Sequence, residues 1–480
     1  MSTTYKVLIG GEWLSARQQE TLPVVSPSDG STFAEIARGT VEDIDHAVEA
    51  ARRAVDGAWG NLTALERGRL LLRLSERVLA NRDVLARLEA SDTGKTHTQA
   101  SNDILACARY LEFYGAAADK VHGEVLPYLN GYSVSVLKEP HGVTGHILPW
   151  NYPAQMFGRS LAPALAMGNA VVVKPAEEAC LSILEIARLA EEVGFPPGAI
   201  NVVTGLGHEV GAALSEHPGV AFLSFTGSPE VGALVQQAAS RHHAGCVLEL
   251  GGKSPQLIFA DADLDKAADK VIGAIVQNAG QTCSAGSRVL IQQTILDDFL
   301  LRLKERFASI SVGSSDMDLH CGPLISRKQR DRVEQFIEQA KSDGLRLVAE
   351  GQLAADLPDE GFYIRPALFG PIPRDHLLAR EEVFGPVLVA LAFEDEEDAI
   401  ALANDTDYGL VAGVWTSDGG RQMRVSKRLH CGQVFINDYG AGGGVELPFG
   451  GVKKSGHGRE KGLAALEEFC VTKTVVLNHG

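Results

Sequence analysis

The chain reads as an α/β protein built on doubly wound parallel sheets, and three observations carry that expectation. From residue 143 onward, short apolar runs alternate with helix-patterned segments at the spacing of successive strand–helix units, which argues for parallel strands joined by crossover helices. Glycine is abundant, at 51 residues, while aromatic residues make up only 6%, a profile that suits an α/β enzyme with many tight turns. At 480 residues the chain exceeds one ordinary core, so two or three domains are expected.

Residues 43–115 read as successive amphipathic helices. The segments 43–59 and 65–80 place apolar side chains at i, i+3 and i+4 with charges opposite. The stretch 131–139 alternates, Tyr132, Val134 and Val136 against Ser133 and Ser135, as an exposed or pairing strand does. Strands are then expected at 143–148, 170–174, 200–203, 220–225 and 246–250, separated by helices near 155–167, 180–193, 207–216 and 229–240. A second alternating region runs from about 254 to 435. Its strands fall at 254–259, 288–292, 387–393, 411–416 and 433–437, and its helices near 264–278, 294–309, 326–342 and 396–403. The boundary between the two regions is expected near Gly251-Gly252.

The net charge of −17 argues against nucleic acid or an anionic membrane as the main partner, while leaving room for local basic pockets. Seven cysteines form no CxxC pair, so a reduced, cytoplasmic setting is expected. No metal site is expected, since His242-His243 has no partner at ligand spacing. The N-terminus lacks a signal h-region, and the longest apolar stretch, 161–173, is short and broken by Gly and Pro.

Several segments carry residue types suited to chemistry. Cys283 lies among small residues in Gly280-Gln-Thr-Cys283-Ser-Ala-Gly286, and Glu249 stands upstream in Glu249-Leu-Gly-Gly252. A thiol and a carboxylate of this kind can serve as nucleophile and base, although most buried cysteines are only small core hydrophobes. Phe225-Thr-Gly227-Ser228-Pro229 follows a strand and opens a helix, with Ser228 as N-cap and Pro229 at the first helical position. A helix N-terminus there is a natural diphosphate seat, and equally an ordinary capped turn. Gly205-Leu-Gly207-His-Glu-Val-Gly211 is a weaker glycine pattern that also marks plain helix–strand packing. Lys174-Pro-Ala-Glu177 closes a buried strand, where open α/β sheets bind ligands. Glu177 would accept from a ribose diol and repel a 2′-phosphate, which favours NAD over NADP. Pro149-Trp150-Asn151-Tyr152-Pro153 restrains Asn151 between prolines. A preorganised amide of that kind, aimed at a developing oxyanion, is worth about 3–4 kcal/mol.

Together with Glu382-Val-Phe384-Gly-Pro386 and Pro448-Phe449-Gly-Gly-Val-Lys-Lys-Ser-Gly-His-Gly-Arg459-Glu460, these segments stand in the order and spacing of the aldehyde dehydrogenase superfamily. The chain resembles that superfamily from Gly10-Gly-Glu-Trp13 to Val471-Thr-Lys473. The resemblance implies the α/β aldehyde dehydrogenase fold. A Rossmann-like cofactor domain would span 1–121 and 141–251, an α/β catalytic domain 252–453, and a small β oligomerisation element 122–140 and 454–480. It further implies a homodimer or homotetramer acting on a small-molecule aldehyde. Cys283 would attack the aldehyde carbon, Asn151 and the Cys283 backbone N–H would hold the oxyanion, and Glu249 would activate water against the thioester. Lys174 and Glu177 would hold the adenosine ribose, with Gly207 near the adenine. Gly227 and Ser228 would hold the diphosphate and Glu382 the nicotinamide ribose, with Phe384 beside the nicotinamide. Pro149, Trp150, Val231 and Leu250 would complete the cofactor site, and Tyr152, Arg159, Thr282 and Phe449 the substrate site. NAD is the expected cofactor, with NADP as the lesser alternative.

Arg159 is the most informative position for the substrate. It lies eight residues after Asn151, on a helix expected to turn both toward one tunnel. An Arg there resembles the succinate-semialdehyde and the benzaldehyde/vanillin branches. A guanidinium facing a tunnel would pair with a substrate carboxylate or phenol oxygen, worth about 1.5–3 kcal/mol. The second Arg of the succinate-semialdehyde branch is Gln277 here, and the glycine-rich run at 439–445 would leave a roomy tunnel end. A polar semialdehyde or an oxygenated aromatic aldehyde is therefore expected, not succinate semialdehyde itself. The alternative for Arg159 is a structural role, bonded to a carbonyl or to Glu446. Two other functions compete: a CoA-acylating enzyme, which would not need Glu249, and a non-catalytic protein on the same scaffold.

Overall fold

A computed structural model describes residues 3–440 and 444–480. Part of the glycine-rich run expected to leave the tunnel end roomy, residues 441–443, lies outside the described residues. Five strands stand side by side and parallel at the heart of the first sheet, in the order Ile200–Val202, Ala170–Pro175, Val143–Leu148, Phe222–Thr226, Gly245–Glu249. The first four are almost wholly buried, as strands covered on both faces must be, and their continuous Val/Ile/Leu runs follow from that. The chain enters at Val143–Leu148, works outward to Ile200–Val202, then returns to the other side of its starting strand. The strand order therefore reverses between Val143–Leu148 and Phe222–Thr226, and the crevice at their carboxyl ends is where such sheets bind ligands. Antiparallel strands close the edges: Gly456–His457 on one side, Val7–Ile9 and then Glu12–Leu14 on the other.

The second sheet has seven strands, in the order Leu347–Glu350, Ala367–Phe369, Val387–Phe393, Arg288–Gln292, Pro255–Ile258, Val411–Trp415, Gln433–Ile436, all parallel except the first. Gly251 and Gly252 join the two sheets. A third sheet pairs Tyr132–Pro140 with Cys470–Asn478 over nine residue pairs and with Glu124–Leu126. It leaves Val125, Val475, Val476 and Leu477 exposed.

The expected helices form at Val41–Asp56, Ala64–Ala80, Leu181–Glu192, Pro229–Ser240, Leu296–Ala308, Arg327–Ser342 and Glu396–Asn404. Among the described residues none is long and apolar enough to cross a membrane. Three differ from their sequence pattern. The helix expected at 155–167 is two short α segments, Pro153–Met156 and Ala162–Ala166, around a π-turn at Phe157–Leu161. Nearly every residue there is buried, so no polar face marks the pitch and one wider turn leaves no trace in the pattern. The 207–216 helix likewise begins with a π-turn, Gly207–Gly211. The 264–278 helix stops at Val276, and Gln277–Gly280 is a tight turn in which Asn278 and Ala279 are left-handed, at φ 49° and 52°.

Asn169, fully buried, ties the first sheet to the C-terminal strand. Its amide donates to the carbonyls of Phe469 (2.8 Å) and Ala164 (3.0 Å) and its side-chain oxygen accepts from Gly142 N–H (3.1 Å). Asn169→Ala is expected to orphan these buried groups at about 1–3 kcal/mol each. Calorimetry should show a lower melting temperature; an unchanged one would mean that water replaces the amide.

Candidate active site

A cavity of about 420 Å³ opens at the crevice between the two sheets, lined from both. Pro149, Trp150, Asn151 and Tyr152 leave the end of Val143–Leu148; Thr226, Gly227 and Ser228 leave the end of the neighbouring strand. Glu249, Arg159, Thr282, Cys283, Glu382, Phe384 and Phe449 complete the wall. Of the residues expected at the site, these converge on one space.

Asn151 is held from three directions. Its carbonyl accepts from Lys95 Nζ at 2.8 Å and from Asn278 Nδ2 at 2.9 Å, while its amide donates to the Gln281 carbonyl at 3.0 Å. One amide hydrogen is thereby engaged and the other is left to point elsewhere. Lys95 is buried between Glu89 (3.3 Å) and Asp103 (2.5 Å). Burial disfavours its ammonium form, but the two carboxylates more than reverse this and hold it above the usual lysine range. Burial, with Glu89 adding and Lys95 opposing, pushes the Asp103 carboxyl up to about 7.

Cys283 follows the left-handed turn Asn278-Ala279-Gly280. Non-glycine residues in that conformation cost about 1–3 kcal/mol each and persist only when clamped. The clamp is visible: Asn278 N–H donates to Gln99 Oε1 (3.1 Å), and Gln281 Oε1 accepts from Ile325 N–H (2.9 Å). A Cβ on Gly280 would meet the Gly385 carbonyl at 2.2 Å, so the turn also presses against the segment carrying Glu382 and Phe384. Cys283 keeps partial exposure. Burial pushes its thiol up to about 12, Arg159 pulling down and Glu249 and Glu382 pushing further up. The sulfur rests as a thiol and needs a proton acceptor to react.

Glu249 ends its strand opposite Thr226 on one side and Gly456 on the other. It is 1% exposed, and neither carboxylate oxygen has a hydrogen-bond partner among the described residues. Burial raises its pKa well above the ordinary range; Arg159 opposes this and Glu460 adds to it. A buried carboxylate that lines a cavity, with the Arg159 guanidinium 3.5 Å away and no hydrogen-bond partner among the described residues, is a candidate base.

Arg159 rides on the π-turn and is buried. Its guanidinium is ion-paired with Glu460, stands 3.5 Å from Glu249, and stacks over the Phe449 ring at 4.4 Å. The expected structural partners are corrected: Arg159 meets Glu460 instead of Glu446 or a carbonyl, and Glu446 pairs with Arg109 at the surface. The reason is topological. The bridge between Phe449 and Glu460 folds the C-terminal run back so that Glu460, not Glu446, faces inward.

The remaining expected residues divide into groups. Lys174 and Glu177 are ion-paired, and Gly207 N–H donates to Glu177 at 3.3 Å. These three cluster beside the cavity, one strand further across the sheet. Ser228 caps the Pro229–Ser240 helix by accepting from Val231 N–H at 3.3 Å. Gly227 N–H is already bonded to the Glu249 carbonyl at 3.0 Å, so Gly227 offers space, not a donor. Leu250 packs beneath Gly232 of that helix, and Val231 is exposed on it. Glu382 accepts from Gly252 N–H at 2.8 Å; burial pushes its carboxyl up to about 7. A Cβ on Gly251 would collide with Glu382 at 2.1 Å, and one on Gly252 with the Cys283 carbonyl at 2.4 Å, so the glycine pair is required for this approach. Phe384 stands edge-on to Trp150, with centroids 5.4 Å apart, and Tyr152 hydroxyl meets Thr282 Oγ1 at 2.6 Å.

These residues fit a dinucleotide. The cavity reaches from Cys283 to a helix N-terminus, the Glu382 carboxylate lines it, and the buried Thr226 hydroxyl at the crevice has no partner among the described residues. Sequence reading missed Lys95, Glu460 and Lys461 as parts of the site. Lys95 sits in Thr93-Gly-Lys-Thr96 between helices, where nothing signals burial. Glu460 closes the last motif, and Lys461 follows it, without a spacing that points to Arg159.

Residues 13–475 match the model of the aldehyde dehydrogenase family. The chain is 42% identical over 471 residues to hydroxyisobutyraldehyde dehydrogenase of Mycolicibacterium austroafricanum, covering 98% of this chain and 93% of that protein. Among solved structures it is similar to a Burkholderia cenocepacia chain assigned to the aldehyde dehydrogenases, with TM-score 0.98, 60% identity and coverage of 99% and 100%. It is also similar to the NAD+ complex of aldehyde dehydrogenase from Bacillus cereus, with TM-score 0.97, 38% identity and coverage of 99% and 97%. The chain belongs to the aldehyde dehydrogenase family, and it is an enzyme that oxidises aldehydes.

Proposed function

We propose that this enzyme converts an aldehyde to its carboxylic acid with NAD, through a thiohemiacetal and then a thioester on Cys283. The observation that carries the reading is the convergence of Cys283, the Asn151 amide and Glu249 on one cavity. The Cys283 sulfur attacks the carbonyl carbon as its proton passes to solvent through the open cavity, which leaves Glu249 for the later step. The oxygen gains charge and is held by the free Asn151 amide hydrogen and the Cys283 N–H. NAD, when bound, would supply the hydride acceptor for the two-electron oxidation of the thiohemiacetal to the thioester. Glu249 then takes a proton from water, the water oxygen attacks the thioester carbon, and the thiol of Cys283 is restored with release of the acid. Glu249 gives the water route its base, which supports hydrolysis over transfer to CoA.

Lys174 and Glu177 would hold the adenosine ribose, the Ser228 helix start the diphosphate, and Glu382 the nicotinamide ribose. The NAD+ complex of the Bacillus cereus relative supports this choice of dinucleotide, and the Glu177 carboxylate disfavours a 2′-phosphate. The exposed apolar sheet of Glu124–Leu126, Tyr132–Pro140 and Cys470–Asn478 supports assembly into a homodimer or homotetramer. Seven free cysteines support a reducing, cytoplasmic setting.

For the substrate, an oxygenated aromatic aldehyde is the better reading. Of the substrate-site residues, the aromatic Tyr152 and Phe449 line the cavity, and the Arg159 charge is already shared by two carboxylates. A semialdehyde acid is the second reading, favoured because Arg159 still lines that cavity. In a kinetic screen, hydroxybenzaldehydes are expected to give the higher kcat/KM; superiority of semialdehyde acids would reverse the order.

Cys283→Ala is expected to abolish oxidation while NAD titration stays near normal; retained turnover would reject Cys283 as nucleophile. With Glu249→Gln, a stopped-flow burst of NADH should persist while steady turnover falls, and loss of the burst would place Glu249 in an earlier step. Lys95→Met, by releasing the Asn151 backbone, is expected to slow the burst about 100-fold. An unaltered burst would confine Lys95 to stability.

A further inference from the structure

Arg159, Glu249 and Glu460 form a buried row of alternating charge. Glu460 is 1% exposed and anchored on its far side: it accepts from Ser224 Oγ at 3.3 Å. Ser224 contacts Ser160 Oγ at 2.9 Å, and Ser160 contacts His146 Nδ1 at 2.8 Å. Burial pushes His146 down to about 3, and this neutral imidazole is held at its other nitrogen by Thr144 Oγ1 at 2.9 Å. The Glu460 backbone is pinned as well, by reciprocal bonds with Phe449 of 2.7 and 2.8 Å. Glu460 is therefore the stationary carboxylate of the row, and Arg159 is stationary with it, stacked on Phe449. Glu249 is the member whose oxygens have no hydrogen-bond partner among the described residues.

We propose that Arg159 and Glu460 form with Glu249 an ion cluster that tunes the base for thioester hydrolysis, so that Arg159 is a positioning residue for deacylation and not the receptor of a substrate carboxylate. The proposal rests on the assignment of Cys283 as nucleophile and Glu249 as base. Its logic is electrostatic. Burial alone would keep Glu249 protonated, and a protonated acid cannot accept from water. Arg159 at 3.5 Å opposes that burial without cancelling it, while Glu460 competes for the same guanidinium and adds a like charge. The other charged groups facing Glu249 are Arg459, Lys461 and the Cys283 thiol. Arg459 directs one nitrogen at the Gly451 and Gly458 carbonyls, and burial, with Arg159 beside it, brings Lys461 down to about 7. Arg159 is thus the close cation that keeps its charge at every working pH. Because two carboxylates already share it, an anionic substrate would have to displace Glu249 from it, disabling the base it needs next.

Deacylation can be isolated without any dinucleotide. 4-Nitrophenyl acetate transfers its acetyl group to the Cys283 sulfur with release of 4-nitrophenolate, and water then hydrolyses the thioester to acetate and thiol. Intact-mass measurement of the acetyl adduct against time and pH gives the deacylation limb. In Arg159→Met the limb should move to higher pH by about one to three pH units, the effect of losing an opposite charge at this range. In Glu460→Gln it should move to lower pH. Arg159→Lys should restore most of the wild-type profile, and the charge-balanced Arg159→Met/Glu460→Gln variant should fall between the singles. Opposite shifts are a signature that general loosening does not produce. Limbs that stay put, or that move together, would overturn the proposal, and the Glu460→Gln and double variants decide it if Arg159→Met does not fold. KM provides a second test: 4-carboxybenzaldehyde and benzaldehyde should respond alike to Arg159→Met, and a rise confined to the anion would overturn the proposal. A Glu249→Gln enzyme that deacetylates with the wild-type profile, or a wild type that never acylates at Cys283, would instead overturn the assignments beneath it.

Discussion

The carbonyl oxygen of Asn151 is the point where three remote parts of the chain meet. Lys95 reaches it from the N-terminal helices, Asn278 from the loop that carries Cys283, and Asn151 itself follows a central strand of the first sheet. Two donors on one buried carbonyl fix the distance between the amide and the sulfur. The Lys95 ammonium can occupy this interior position only because Glu89 and Asp103 accompany it; an isolated ammonium there would be far too costly. Glu89 in turn accepts from Ala154 N–H and Ser182 Oγ, so the same carboxylate anchors the helix start that leads to Arg159. Rigidity of this kind is what preorganised catalysis requires.

Around the cavity the chain collects buried charge in two sets, each a cation between two carboxylates. Lys95 with its two carboxylates holds the backbone on one side; Arg159 with Glu249 and Glu460 holds the other. In each set the cation offsets part of the charge of its carboxylates, which lowers the cost of burying them, and Arg159 and Glu249 of the second set line the cavity. Low local dielectric makes these interactions stronger than they would be in water. It also explains why burial disfavours the charged forms of Glu249, Glu382 and Cys283.

Much of the fold was legible along the chain. Buried parallel strands announce themselves as unbroken Val/Ile/Leu runs, and the first sheet shows them at nearly the expected residues. The capped turn at Ser228-Pro229 was equally plain, because capping is a local interaction between near neighbours. The π-turn at Phe157–Leu161 was not, since a uniformly apolar segment gives no sign of its pitch. Nor was the left-handed turn at Asn278-Ala279, where tertiary contacts overrule local preference. At the site, the thiol, the amide and the carboxylate could be picked out by residue type and motif. The partner of Arg159 could not, because Glu446 and Glu460 are the same residue type and only the folding-back of the C-terminal run selects one of them.

By itself the sequence determined the inventory: which strands are buried, which turns are capped, the family, and which side chains carry chemistry. Those properties are local or compositional, so they survive projection onto one dimension. Only the tertiary structure decided how the charges are shared. Whether a guanidinium serves a substrate or a neighbouring carboxylate depends on differences of a few ångströms between residues some 90 to 300 positions apart, as for Arg159 with Glu249 and Glu460. Coulomb energy in a buried site depends on distance in space, and spacing along the chain does not encode it.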